Sequence, residues 1–244
     1  MKSLLRSLTI LCVLAALVSM AVAQTLDEVL EKNYAAKGGL EKIKSILSAE
    51  SKGKVSVMGM ELPISLKQKR GNKLRIESDF QGMTIVQAYD GQKAWMVMPM
   101  TGSTEPQDAP EEMAEGFEDQ ADMDGHLVDW KEKGYTLDLI GKEDVEGTEA
   151  YHVKVTTKKG KIRDYYIDAK TNLEMKVKAK VSRQGQELEV ESIFGNYKPV
   201  NGVMMAFSVE QRAMGQIQSQ ISIDTVLVNV EIPDSLFTKP GEKK

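Results

Sequence analysis

Apolar residues recur at helical spacing near the start of the chain and at every second position through most of the rest. Leu26, Val29, Leu30, Tyr34 and Ala35 lie on one helical face. Thr25, with Glu28 three positions on, forms a capping box before them, and Gly38-Gly39 ends the run. Leu40, Ile43, Ile46 and Leu47 then predict a second, short helix. From Ala49 the period becomes two. Val55 and Val57, then Leu62, Ile64 and Leu66, then Leu74, Ile76 and Phe80, then Met83 and Ile85, predict four strands joined by glycine-bearing turns. A fifth strand, Trp95 to Met100, follows Asp90-Gly91, a pair suited to a type I′ hairpin. This strand is apolar on both faces, whereas a one-sided antiparallel strand alternates with polar residues. It therefore predicts a core on one side and a covered, ligand-holding cavity on the other.

Residues 101–133 break the pattern. Nine acidic residues and no basic one fall between Glu105 and Asp124. Met113, Phe117, Ala121 and Leu127 make a thin apolar stripe at helical spacing, Pro110 suits a first turn, and Gly116 and Gly125 weaken the helix. Such a segment fits a solvated excursion or a movable lid. Strand periodicity resumes at Leu137 and Leu139 and continues through Tyr151 to Val155, Ile162 to Ile167, Met175 to Val181, Leu188 to Phe194, Met204 to Val209 and Ile217 to Val226. The expectation is about eleven short antiparallel strands in one meander, interrupted once by helix. A sheet of that size curls into an incompletely closed barrel, and the mouths of such barrels accept apolar ligands.

The chain has 244 residues. Its first 23 have the anatomy of a secretory signal: Lys2 and Arg6, an apolar stretch from Leu8 to Val18, and the cleavage pattern Ala21-Val22-Ala23. The mature chain is expected to start at Gln24 and to form a single domain over 24–240, with a disordered tail at 241–244. Cys12 is the one cysteine and lies inside that signal; Leu11 before it is unlike a lipid-attachment site. An exported mature protein without thiols or disulfides is therefore expected. Taking Lys2 and Arg6 from 32 basic residues leaves 30 against 36 acidic ones, which is the wrong balance for a nucleic-acid binder. His126 and His152 are the only histidines. No zinc, nucleophile-elbow, dinucleotide or P-loop motif occurs, so no cofactor and no metal are expected, and binding is favoured over catalysis.

Lys69-Arg70-Gly71-Asn72, followed some twenty residues on by Asp90-Gly91-Gln92-Lys93-Ala94-Trp95 and Pro99, resembles the LolA-like periplasmic lipoprotein-carrier family. The helix ending in Ala36-Lys37-Gly38-Gly39 fits the wider superfamily. The resemblance implies an unclosed, curved antiparallel sheet with an N-terminal helix and a helical lid over an apolar cavity for acyl chains. It also implies that Arg70 holds the closed lid through hydrogen bonds to lid backbone, a task suited to five guanidinium donors. Gly71 stands where the family usually has proline.

On this reading the cavity wall comprises Met58, Met60, Leu74, Ile76, Phe80, Met83, Ile85, Trp95, Met96, Met98, Met100, Met205 and Phe207, with Met113, Phe117 and Leu127 on the lid. A hairpin at Asp90-Gly91 pairs Ile85 with Met96 and Met83 with Met98, and this adaptable methionine face is expected to look into the cavity. Val86 and Trp95 share the other face. The expected function is a monomeric carrier of lipoprotein or lipid acyl chains, served by membrane-bound donor and acceptor proteins. Two alternatives remain: a sensory or scaffolding module of the same fold that binds a protein partner, and a hydrolase of envelope lipids.

Overall fold

The computed structural model describes residues 24–183 and 186–241, so the expected signal segment and the last residues of the tail lie outside it. Helix α1 (Leu26–Ala36) starts at the capping box expected of Thr25 and Glu28, with both reciprocal bonds formed. Helix α2 (Leu40–Ser45) follows Gly38-Gly39. Gly38 has φ +111°, and a Cβ there would strike the Gly202 carbonyl oxygen, so only glycine permits this close approach of two chain segments.

Strands β1 (Ser48–Val57), β2 (Met60–Lys69), β3 (Lys73–Phe80), β4 (Met83–Tyr89), β5 (Ala94–Met98) and β6 (Ser103–Asp108) step outward to one edge of a sheet. Helix α3 (Glu111–Ala121) and a loop then carry the chain to the opposite edge. There β7 (Thr136–Val145) begins a return through β8 (Thr148–Thr156), β9 (Ile162–Asp168), β10 (Glu174–Arg183), β11 (Gln186–Gly195), β14 (Ser208–Ala213) and β15 (Gln216–Val228). The hairpin β12 (Lys198–Val200) and β13 (Val203–Met205) stands apart, and β15 closes against β1. The result is a 13-stranded antiparallel sheet whose edges, β6 and β7, do not pair with each other. This is the unclosed half-barrel expected from the periodicity.

Three details differ from the sequence reading. Residues 103–108, assigned to the acidic insertion, form β6, an edge strand in which Pro106 is tolerated. The run from Met204 to Val209 splits into β13, which pairs with β12, and β14, which pairs with β11 and β15. The Asp90 turn is not type I′. Only Gly91 of the pair has positive φ, and the Asp90 carboxylate accepts from the backbone N–H groups of Gln92 and Lys93. This longer loop pairs Gln87 with Met96 and Tyr89 with Ala94, a register two residues from the expected one that leaves every side chain on the same face.

The three α-helices of the described residues lie on one face of the sheet, here termed inner. Val29 and Leu30 of α1 pack on Leu137, Tyr151, Val153, Val155, Tyr165 and Ile167 of β7–β9. Phe117 and Ala121 of α3 pack on Leu74, Tyr89 and Ala94 of β3–β5. The outer face carries charge ladders, such as Lys176 and Lys178 with Glu191. Over β3–β5 it is covered by the segment that holds Ile232 and Phe237.

Candidate functional site

Between the regions packed under α1 and α3, the inner face keeps an apolar surface with no close cover. One cavity, of about 410 Å³, is walled by Leu66, Phe194, Val209, Ile221, Ile223 and Val226 of the sheet and roofed by Ile43 and Ile46 of α2 with Val203 and Met205 of β13. A second, of about 630 Å³, lies between α3 (Met113, Gly116, Phe117, Gln120) and Val181, Leu188, Val190 and Ala213 of β10, β11 and β14. Both volumes fall in the roughly 300–1,000 Å³ range of small-molecule sites. They share β11 and β14 and meet where the Gln68 side-chain amide donates to the Gln120 carbonyl at 2.7 Å. Strict alternation along these strands places the apolar residues on the inner face.

One corner of the first cavity is polar. Lys37 and Glu174 form a 3.1 Å ion pair, both largely buried, and the Tyr197 hydroxyl donates to the Glu174 carbonyl oxygen at 2.7 Å. Burial pushes the Tyr197 hydroxyl far above its ordinary titration range, so it is a neutral donor at this corner.

Arg70, the first residue of the β2–β3 turn, ties together the segments around it. Its Nη1 and Nη2 donate to both Asp124 carboxylate oxygens at 2.6 and 2.9 Å, while Nε and Nη2 donate to the Ile46 and Ile43 carbonyls that end α2. The bond to Asp124 raises the guanidinium further above its ordinary pKa. Asp124 lies in the loop after α3, so one side chain joins the sheet, α2 and that loop. The resemblance implied backbone contacts of Arg70 with the lid; the bonds found go to α2 carbonyls and to the Asp124 carboxylate. Lys133 holds the same loop from its far side through Asp122 and the Gly125 carbonyl.

The middle and C-terminal half of α3 are held by charge. Glu115 pairs with Lys161, Glu118 with Lys159 at 2.7 Å, and Asp119 with Arg163. Arg163 is buried and its Nε–H donates to His126 Nε2 at 3.0 Å. An arginine can only donate, so the His126 proton belongs on Nδ1, which faces the Tyr165 hydroxyl at 2.8 Å. Burial acts to raise the Asp119 carboxyl, but the Arg163 guanidinium opposes it, and the group is held below the usual range. The polar atoms of this cluster bond one another, as in a structural clasp between α3 and the sheet.

The structure distributes the sequence-derived site residues unevenly. Met205 walls the first cavity and Met113 and Phe117 the second. Leu74 and Ile76 belong to the cluster beneath α3. Phe80, Met83, Ile85, Met96 and Met98 share that inner face by alternation and are half-buried. Trp95 is on the outer face, 2% exposed, with its indole N–H donating to the Phe237 carbonyl at 2.6 Å and the Arg75 guanidinium over its ring. Phe207 is buried under Lys198. Leu127 belongs to the core beneath α1. Met58, Met60 and Met100 lie exposed at strand ends and turns. The walls from β10, β11, β14 and β15 went unnoticed in the sequence, although the alternation of Leu188 with Val190 and of Ile221 with Ile223 marks a face just as apolar.

Comparison with protein-family models finds no match, and comparison with curated proteins finds none either. Solved structures do match. A LolA superfamily protein from Nitrosomonas europaea superposes with TM-score 0.58 at 15% identity, covering 89% of this chain and 99% of that one. The fold is LolA-like. A putative outer membrane lipoprotein-sorting protein domain from Vibrio parahaemolyticus gives TM-score 0.58 at 12% identity, covering 87% and 95%. A DUF1329 family protein from Desulfovibrio piger gives 0.58 at 15%, covering 88% and 98%. Identities this low establish the LolA-like architecture alone.

Proposed function

We propose that this chain binds acyl chains of lipids or lipoproteins in the inner-face groove and carries them through the periplasm, after export by the signal segment at residues 1–23. The observation that carries the reading is the pair of adjoining cavities, about 410 and 630 Å³, walled by aliphatic side chains of β10, β11, β14 and β15 under α2 and α3. Apolar walls bind by desolvation and shape and need no reactive group. The Lys37–Glu174 corner suits the polar end of an amphiphile, with a cation, an anion and carbonyl groups within reach.

In this mechanism α3 is a lid. Three ion pairs to the region of Lys159–Arg163 hold its middle and C-terminal half, and Arg70–Asp124 holds the loop behind it, while Phe117 and Ala121 form its apolar footing. Opening exposes groove and footing together, and the acyl chain replaces the lost lid contacts. The test is lipid extraction and native mass spectrometry of protein purified gently from the envelope. An acylated species is expected on the wild type and absent from a folded Val190→Lys variant, whose ammonium would sit in the second cavity. A wild type that stays empty when offered lipids and acylated peptides would contradict the reading.

A further inference from the structure

The most exposed large apolar side chains of the described residues are Met58, 92% exposed, and Met214, 82% exposed. Each is the first residue of a two-residue turn completed by glycine, Met58-Gly59 between β1 and β2 and Met214-Gly215 between β14 and β15. Each holds positive φ, +50° and +52°. Asparagine or aspartate is favoured at that position; the corresponding turn between β12 and β13 uses Asn201, and those between β3 and β4 and between β7 and β8 use the polar Gln81 and Glu146. A methionine there is unfavourable in backbone terms and leaves its side chain in water. Neither local structure nor core packing explains two such choices, and positions that break local rules tend to be functional.

The two turns are neighbours. β1 pairs with β15, and Val57 lies opposite Ser219, so both tips project from the same end of adjacent strands. Met60 and Ile217, also exposed, flank them. Along the chain the tips are uncharged: no charged residue occurs from Val55 to Met60 or from Ala213 to Ile223. The bordering charges pair with each other, Lys54 with Glu61 and Arg212 with Glu210. Ala213 and Gln218, which bracket the second tip, line the cavity under α3. The tips therefore stand at an end of the proposed acyl-chain groove.

We infer that these two hairpin tips dock the protein on a lipid bilayer, inserting Met58 and Met214 into the boundary between headgroups and acyl chains. Two isolated side chains on narrow turns offer far less than the roughly 1,000 Å² that a stable protein interface needs. Shallow apolar insertion is well suited to small, uncharged protrusions, because binding then scales with the apolar area buried in the boundary. Docking by so small an area is reversible, as a carrier that must leave the membrane requires. The inference rests on the proposed function for its purpose, since a groove beside the tips can receive a chain from the bilayer.

Flotation with phosphatidylcholine vesicles tests it, using the full chain as the producing cell processes it. The wild type should float with the vesicles, and high salt should not release it, because no charge attraction is involved. The double variant Met58→Asn/Met214→Asn should partition about tenfold less or weaker still. Its thermal midpoint should be unchanged or higher, because asparagine suits the left-handed turn. It should also keep its acyl chain in the groove, which separates docking from carrying. Failure of the wild type to float, equal flotation of the variant, or binding that needs anionic lipid and vanishes in salt would overturn the inference. An empty groove in a protein that still floats would contradict the carrier reading and leave the docking intact.

Discussion

Arg70 shows how much can hang on one side chain. Its fork satisfies two carbonyls at the end of α2 and both oxygens of Asp124, an acceptor set that lysine could not match. Arg70→Leu should destabilise the protein by about 1–3 kcal/mol, because buried acceptors lose their partner. Hydrogen exchange should rise chiefly at residues 122–126. A double-mutant cycle with Asp124→Asn should show clear coupling, and additive effects would contradict the hub. Asp234 is a second tie, accepting from Lys69 at 2.8 Å and Lys73 at 2.5 Å and so fixing the segment that covers Trp95. These hydrogen bonds lower its pKa to about 2. For a lowered carboxylate, the stabilisation is present above the unfolded value, about 3.9, and is lost as the pH falls through the folded value. Unfolding measured from pH 5 down to pH 2 should therefore show a component that Asp234→Asn removes, a small one because the pair is exposed. Arg70 was legible in the sequence through its neighbours Lys69 and Asn72. Its partners were not, since Asp124 is one acid among many in its segment.

At the scale of elements, α3 is built to be marginal. Pro110 at its start supplies no capping side chain, Gly116 sits mid-helix, and no basic residue ends it. A Cβ on Gly116 would meet nothing within 4 Å. Gly116→Ala should therefore stabilise the helix by about 1 kcal/mol. If α3 is the lid, the same change should slow release of a bound fatty acid in stopped-flow displacement, and a faster release would contradict that role. The ties of Glu115 and Glu118 to Lys161 and Lys159 are exposed and should weaken with salt. Hydrogen exchange at 111–121 should thus speed up in high salt while α1, held by its apolar core, should not. The helix itself was legible from Met113, Phe117 and Ala121, because a 3.6-residue stripe survives even in an acidic segment. Leu127 continued the stripe in sequence but not in space: the chain leaves the helix at Asp122, and Leu127 packs beneath α1.

For the whole molecule, the connectivity explains why the groove exists. The chain reaches one edge at β6 and restarts at the other edge at β7, so residues 109–135 have to cross the inner face. Period-two alternation was enough to anticipate a large open antiparallel sheet. It could not say which part of the inner face stays uncovered, because that depends on where three helices land. The double-sided apolarity of the Trp95 strand was real, but its outer cover is the chain near Phe237, 142 residues away in sequence. Alternation carries no information about such distant cover, and so the cavity was expected around Trp95 rather than along β11, β14 and β15. The central claim is that this groove holds acyl chains, and filling it tests that most directly. Val209 lines the first cavity, and Val209→Trp should occupy its space without adding charge. Titration of wild type and variant with a fluorescent fatty acid is the measurement. Saturable binding by the wild type, lost or weakened at least about tenfold in a folded Val209→Trp variant, is the result the account predicts. Equal binding by the two, or none by the wild type, would contradict it.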